Sequence, residues 1–125
     1  MNQALLIALG GGIGSLSRYW LSTATYHLFG RSFPYGTLSV NVLGSFLMGL
    51  FTILCLERFS GIASFLRAFL LIGFLGGFTT FSAFSIETMN LFENGDLLKA
   101  LLNIILSLVL PLLAVTAGLL SGRQL

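Results

Sequence analysis

The sequence predicts an all-α membrane protein with four transmembrane helices. Charged side chains make up 8% of the 125 residues, whereas about 25% is usual in soluble domains. The mean hydropathy is +0.99. A helix needs about 20 apolar residues to cross the hydrocarbon, and charged and turn residues divide this chain into four stretches of that kind.

The four stretches follow one another with short connections. We expect spans at residues 4–26, 37–56, 65–92 and 97–120, joined by residues 30–34, 57–61 and 93–96. No basic segment or small-residue cleavage pattern opens the chain, so the first stretch is expected to be a retained span rather than a signal peptide. Residues 1–125 are therefore expected to form a single four-helix transmembrane domain.

The first span combines close-packing glycines with one arginine. Gly10 and Gly14 stand four residues apart, as in contacts that bring helix backbones close together. The run 10–15 superficially matches a dinucleotide-binding loop, but no strand precedes it, which argues against nucleotide binding. Placing the charged Arg18 side chain at membrane depth costs free energy unless it contacts water, an anion or carbonyl groups. It is either the positive charge of an anion vestibule or an anchor that snorkels to the surface.

The second span carries a polar stripe. Thr37, Asn41 and Ser45 recur every four residues, which places them on one face of a helix. The Asn41 amide needs a hydrogen-bonding partner in hydrocarbon. This pattern indicates either a functional polar site or simple bonding between helices.

The third span contains the most informative segment, residues 76–86. Two glycines followed by Thr79 and Thr80 predict a helix broken near its middle, and exposed backbone at this depth requires surrounding protein or a wet cavity. Phe81 and Phe84 share the next helix face. Their positive ring edges are suited to an anion, although ordinary packing is the alternative.

The basic residues give little bias toward one orientation. With four spans, one face is expected to hold Arg58, Arg67 and Arg123. The opposite face is expected to hold Arg31 and Lys99, and also Arg18 if that residue snorkels toward the far end of the first span. So weak a bias allows insertion both ways and hence an antiparallel dual-topology dimer, although one or two basic residues can also fix a single orientation. The scattered charges do not suggest nucleic-acid binding.

Three segments together resemble the Fluc/CrcB fluoride channel family. They are residues 11–19 (GGIGSLSRY), 36–44 (GTLSVNVLG) and 73–87 (GFLGGFTTFSAFSIE). Length and four-span layout agree with that family as well. The resemblance covers essentially the whole chain.

The resemblance implies passive export of fluoride across the bacterial inner (plasma) membrane by an antiparallel dimer with two pores. It implies a structural sodium ion at the dimer centre, held by the backbone carbonyls of Gly76 and Thr79 from each copy. It also implies a fluoride pathway lined by Phe81, Phe84, Asn41, Ser82, Arg18 and Glu87. The partner is a second copy of the chain or a close paralogue.

Two positions depart from the family pattern, and one other function competes. Ala83 stands where relatives often have threonine, and Leu110-Pro111 stands where many have Gly-Ser. A small proton-coupled exporter of the multidrug type would also be a four-span dual-topology dimer, but it needs an acid in the first span, which has none. An enzyme is not expected, because paired carboxylates, a Ser/His pair at helical spacing and a metal-ligand cluster are missing from the sequence.

Overall fold

The computed structural model describes residues 2–125 and contains four helical spans long and apolar enough to cross a membrane. The first two are α1, Gln3–Phe29, and α2, Tyr35–Glu57. Each extends a few residues beyond the predicted span. Asn2 begins α1 as its N-cap, because its side chain accepts a hydrogen bond of 2.7 Å from the amide of Ala4.

The third span, Ser60–Glu93, is assembled from short pieces. A 3-10 turn at Ser60–Ile62 leads into α3, Ala63–Leu66, and then into a π-helical segment, Arg67–Leu75. A last turn of α-helix, α4, covers Gly76–Phe78. The predicted connection at 57–61 is therefore too long by three residues, because α2 includes Glu57 and helical structure resumes at Ser60. The π-helical segment was not predicted.

The chain then breaks, as the two glycines and two threonines predicted. Thr79 and Thr80 are extended, with φ/ψ of −86°/156° and −151°/122°. The helix restarts as α5, Phe81–Glu93, and the Thr80 hydroxyl caps it by accepting a 3.2 Å hydrogen bond from the amide of Ala83. The break therefore lies immediately before the two phenylalanines.

The fourth span is α6, Leu97–Gln124, which packs along α2. A Cβ on Gly49 would collide with the carbonyl oxygen of Val115, and one on Gly118 would collide with that of Phe46. The two backbones thus approach as closely as small residues allow. Only 6% of the most apolar part of α6 is buried within the chain, so most of its surface is left for lipid or another protein.

The first span packs in the same way against the third. A Cβ on Gly10 would collide with the carbonyl oxygen of Phe69, and one on Gly14 with that of Phe74. Gly77 meets the backbone of Gly11 just before the break. The glycine spacing in the first span therefore serves helix packing, as predicted, and it holds the broken helix between α1 and α2.

Candidate ion pathway

The side chain of Asn41 braces the broken backbone from α2. Its Nδ2 donates to the carbonyl oxygen of Thr80 at 3.0 Å, and its Oδ1 accepts from the amide of the same residue at 2.8 Å. One amide thus satisfies both backbone groups of Thr80, which the break separates from helical partners. The polar stripe on α2 therefore faces the third span. Both polar atoms of the Asn41 side chain are used in hydrogen bonds to the backbone of Thr80.

The break also frees backbone carbonyls, including those of Gly76 and Thr79. In a continuous helix, the Gly76 carbonyl would accept from the amide of Thr80, and the Thr79 carbonyl from that of Ala83. Those amides instead donate to the side chains of Asn41 and Thr80. Backbone carbonyl oxygens are suitable ligands for a hard cation. The donor chemistry at these two positions therefore fits a hard cation such as sodium.

Phe81 and Phe84 lie beside the break and contact each other. Their ring centroids are 5.3 Å apart and the ring planes are inclined at 51°. Phe81 is 72% exposed, whereas Phe84 is half-buried. Ser82 is exposed as well, and its hydroxyl lies 3.3 Å from that of Thr80. The two rings and the serine thus share the first turn of α5.

A cavity of about 280 Å³, which we call the inner cavity, brings Arg18 and Glu87 together. Its wall also includes Thr37 of α2 and Thr80 at the break. The Glu87 carboxylate accepts hydrogen bonds from the Thr37 hydroxyl at 2.5 Å and from the Tyr26 hydroxyl at 3.1 Å. Within residues 2–125 the Glu87 carboxylate forms no ion pair with Arg18, so the cavity holds a cation and a tethered anion separately.

A second cavity, of about 340 Å³, lies on the other side of the break and is called the Phe81 cavity. Phe81, Asn41 and Thr79 line it together with Ser107 of α6. Thr80 lines both cavities. Of the predicted pathway residues, Arg18 and Glu87 therefore line one cavity and Asn41 and Phe81 line the other. Ser82 and Phe84 line neither of these cavities.

Two sets of polar residues were not assigned to the pathway from sequence. The fully buried Asn103 donates to the Thr88 hydroxyl at 2.8 Å and accepts from Ser107 at 3.1 Å. Thr88 in turn donates to the carbonyl oxygen of Phe84 at 2.7 Å. The four-residue spacing of Asn103 and Ser107 was the available signal. No sequence signal pointed to Tyr26, the partner of Glu87, because tyrosines at span ends are common anchors.

These features define a class of protein. A membrane helix is unwound beside two small cavities, and side chains bond the amides of Thr80 and Ala83 at the break. Arg18 lines one of the cavities and Phe81 lines the other. Across residues 2–125 no three His, Cys, Asp or Glu side chains come together as a metal site. Unwound backbone beside cavities at membrane depth is typical of membrane proteins that bind or conduct small ions.

Comparison with known proteins identifies the family. The family model described as "CrcB-like protein, Camphor Resistance (CrcB)" matches residues 5–119. A protein of Methylococcus capsulatus is 53% identical over the whole of this chain, which spans 55% of that relative's length. A protein of Coxiella burnetii is 54% identical over 98% of this chain and 99% of its own length. This chain belongs to the CrcB family.

These relatives and a third one share the same name. The proteins of Methylococcus capsulatus and Coxiella burnetii are both named "Fluoride-specific ion channel FluC". So is a protein of Rhizobium leguminosarum bv. trifolii, which is 49% identical over the whole of this chain and 99% of its own length. The predicted family resemblance is confirmed.

Proposed function

We infer that this chain is a fluoride-specific ion channel. Relatives at about half identity that match it from end to end carry that name. The chain is a membrane protein of a channel family, not an enzyme family. We propose further that residues 1–125 act as one transmembrane domain in a bacterial inner membrane.

The observation that best supports an anion passage is the unwound Thr79-Thr80 segment, braced by Asn41 and followed directly by the Phe81–Phe84 pair. Ring edges carry partial positive charge, and neutral hydroxyls can replace part of the water shell of a small anion. A halide is then stabilised without a fixed cation, which would bind it too tightly to release. Arg18 in the inner cavity supplies attraction at the entrance.

Export through such a passage needs no coupled energy source. Hydrogen fluoride crosses lipid as a neutral acid and dissociates in the less acidic cytoplasm, which traps fluoride there. A negative interior then drives the anion outward by about 2.3 kcal/mol per charge per 100 mV. We assign the pathway to Phe81, Phe84, Asn41, Ser82, Arg18 and Glu87.

We propose that the working unit is an antiparallel dimer with a sodium ion at its centre. The carbonyls of Gly76 and Thr79 supply two oxygens per chain, fewer than the six to eight oxygen ligands that the hard cation Ca²⁺ takes. A second copy would double the supply from Gly76 and Thr79. The 72% exposure of Phe81 also leaves that ring available to a partner surface. Bound sodium would screen the facing carbonyls, and its removal would weaken assembly.

Fluoride efflux from liposomes containing only this chain tests the function. Vesicles loaded with potassium fluoride are diluted, and efflux is followed with a fluoride electrode before and after valinomycin is added. We expect efflux that depends on the ionophore and is unaffected by an imposed proton gradient. Absence of fluoride efflux from vesicles that contain assembled protein would refute the proposal.

The same vesicles distinguish the channel from a proton-coupled exporter. That alternative requires an acid in the first span, and α1 contains Arg18 and no aspartate or glutamate. The Glu87 carboxylate is already bound by two hydroxyls. Efflux of an organic cation driven by a pH gradient, without electrogenic fluoride movement, would favour the exporter.

A further inference from the structure

A third cavity of about 350 Å³ lies where the α1–α2 connection meets the end of α5. We call it the outer cavity, because residues of that connection form part of its wall at the ends of the spans. Its wall includes four polar side chains that the assigned fluoride pathway does not use: Arg31, Ser32, Asn90 and Asn94. These side chains therefore have no role in the function proposed so far.

The outer cavity adjoins the inner cavity. Tyr26 and Glu87 line both of them, and Arg18 lines the inner one. Both are clefts open to their surroundings rather than enclosed holes, so water and ions can enter them. An anion in the outer cavity would therefore lie next to the space that contains the pathway arginine.

The Arg31 side chain is held at the outer cavity by an aromatic ring. Its guanidinium carbon lies 4.6 Å from the centroid of the Tyr26 ring, which is a cation–π contact. The ring in turn packs against Gly36, where an added Cβ would collide with it. A ring face attracts a cation without neutralising it, and among residues 2–125 the Arg31 guanidinium forms no ion pair. The positive charge of Arg31 is therefore fixed in position and available to an anion.

Two amides on α5 add neutral donors to the same wall. Asn90 and Asn94 stand four residues apart, which puts them on one face of the helix, and both side chains are exposed. Each side-chain amide has two N–H donors. An ion that is to be conducted must be bound weakly enough to leave again, and neutral donors beside a single cation suit that requirement.

The charges around the two cavities favour an anion. Arg18 and Arg31 contribute two positive charges to their walls, and Glu87 contributes one negative charge. Without Arg31 the charged side chains of the two walls would balance. A cleft with an excess of one sign of charge raises the local concentration of the opposite ion and the rate at which that ion enters.

We propose that the outer cavity collects fluoride at the entrance of the pathway, and that Arg31 is the residue that attracts it. The amides of Asn90 and Asn94 then offer hydrogen bonds to the anion before it moves into the inner cavity. This inference rests on the proposed channel function and adds Arg31 to it. Because the attraction is electrostatic and acts near the surface, salt should screen it.

The test replaces Arg31 by glutamine and varies the ionic strength. Vesicles with about 10 mM potassium fluoride are compared with vesicles that also have about 1 M potassium gluconate on both sides, which shortens the Debye length from about 30 Å to about 3 Å. Removing one charge at about 4–8 Å from the anion should lower valinomycin-dependent fluoride efflux roughly two- to fivefold at low salt. At high salt the difference should be less than about 1.5-fold, and wild-type efflux should itself have fallen.

Two further variants make the result specific. Lys99→Gln is the matched control, since it removes the same charge at the same end of the spans and Lys99 lines neither cavity. It should leave efflux unchanged at both salt concentrations. Arg31→Lys keeps the charge without the planar guanidinium, and it should restore most of the low-salt efflux that Arg31→Gln loses. Size-exclusion chromatography should show the same assembly for all variants.

The outcomes separate this inference from the function on which it rests. No fluoride efflux from wild-type vesicles would defeat the channel and the role of Arg31 together. Wild-type efflux that Arg31→Gln matches at low salt would overturn the role of Arg31 alone. An equal loss at both salt concentrations would also overturn it, because the defect would then be structural, and so would wild-type efflux that salt does not lower. A matching loss in Lys99→Gln would replace it with a general effect of surface charge.

Discussion

Removing the side-chain amide of Asn41 should weaken the broken helix and the passage beside it. Asn41→Ala eliminates both hydrogen bonds to Thr80, at 3.0 and 2.8 Å. Interhelical hydrogen bonds in membranes average about 0.6 kcal/mol, which gives roughly 1.2 kcal/mol for the pair. An unsatisfied buried group costs about 1–3 kcal/mol, so stranding both backbone groups sets an upper value of roughly 6 kcal/mol.

The Asn41→Asp variant tests the effect of a negative charge separately from the loss of the side-chain hydrogen bonds to Thr80. It retains an oxygen that can accept from the Thr80 amide, but it replaces the donor with a second oxygen that faces the Thr80 carbonyl. It also adds a negative charge beside an anion path. We therefore expect Asn41→Asp to reduce fluoride efflux more strongly than Asn41→Ala, by at least about tenfold, the factor that corresponds to 1.4 kcal/mol.

The assay combines stability and flux on the same preparations. Unfolding is followed by circular dichroism during denaturant titration in mild detergent, and efflux is followed in liposomes. Thr52→Ala is the control, because Thr52 lies on the same helix and bonds only to the Met48 carbonyl of that helix, at 2.6 Å. If Asn41→Ala and Asn41→Asp both match wild type in stability and efflux, the amide does not brace the passage.

Three further changes test the remaining parts of the site. Replacing Phe81 or Phe84 with isoleucine should slow fluoride efflux by up to roughly tenfold, because it removes a ring edge and also the Phe81–Phe84 contact that positions the other ring. An aromatic pair contributes about 0.5–1.5 kcal/mol beyond burial; unchanged efflux in both variants would contradict the ring-edge role. Exchanging sodium for a much larger monovalent cation during purification should lower the dimeric fraction in size-exclusion chromatography, and an unaltered elution profile would argue against a structural ion. Gly14→Ala should cost about 1–3 kcal/mol of stability, because its Cβ would collide with the Phe74 carbonyl; Gly12→Ala, which meets open space, should not, and equal costs would contradict this packing.

Much of the fold was predictable because hydrocarbon imposes simple requirements. A chain this apolar must satisfy its backbone internally, so helices were the expected elements. Their positions followed from the charged and turn residues between them. The break at Thr79-Thr80 was predicted because two glycines and two hydroxyl side chains together lower helix propensity and offer alternative backbone partners.

The site was predicted less completely. Composition and spacing placed Asn41 on a polar stripe and the two phenylalanines on one face, but spacing along a helix does not say which helix lies opposite. The partner of Asn41 is backbone 39 residues away, and the partners of Glu87 are 50 and 61 residues away. The π-helical segment Arg67–Leu75, which packs against α1, was not predicted from the sequence either.

The sequence by itself determined that this chain spans a membrane four times, where its third span breaks and which family it resembles, because each depends on local composition or a contiguous motif. Only the tertiary structure decided that Tyr26 bonds to Glu87 and that Asn41 bonds to the broken backbone at Thr80. Those contacts join residues from different helices, and glycine-mediated packing of one backbone on another sets the distances between them.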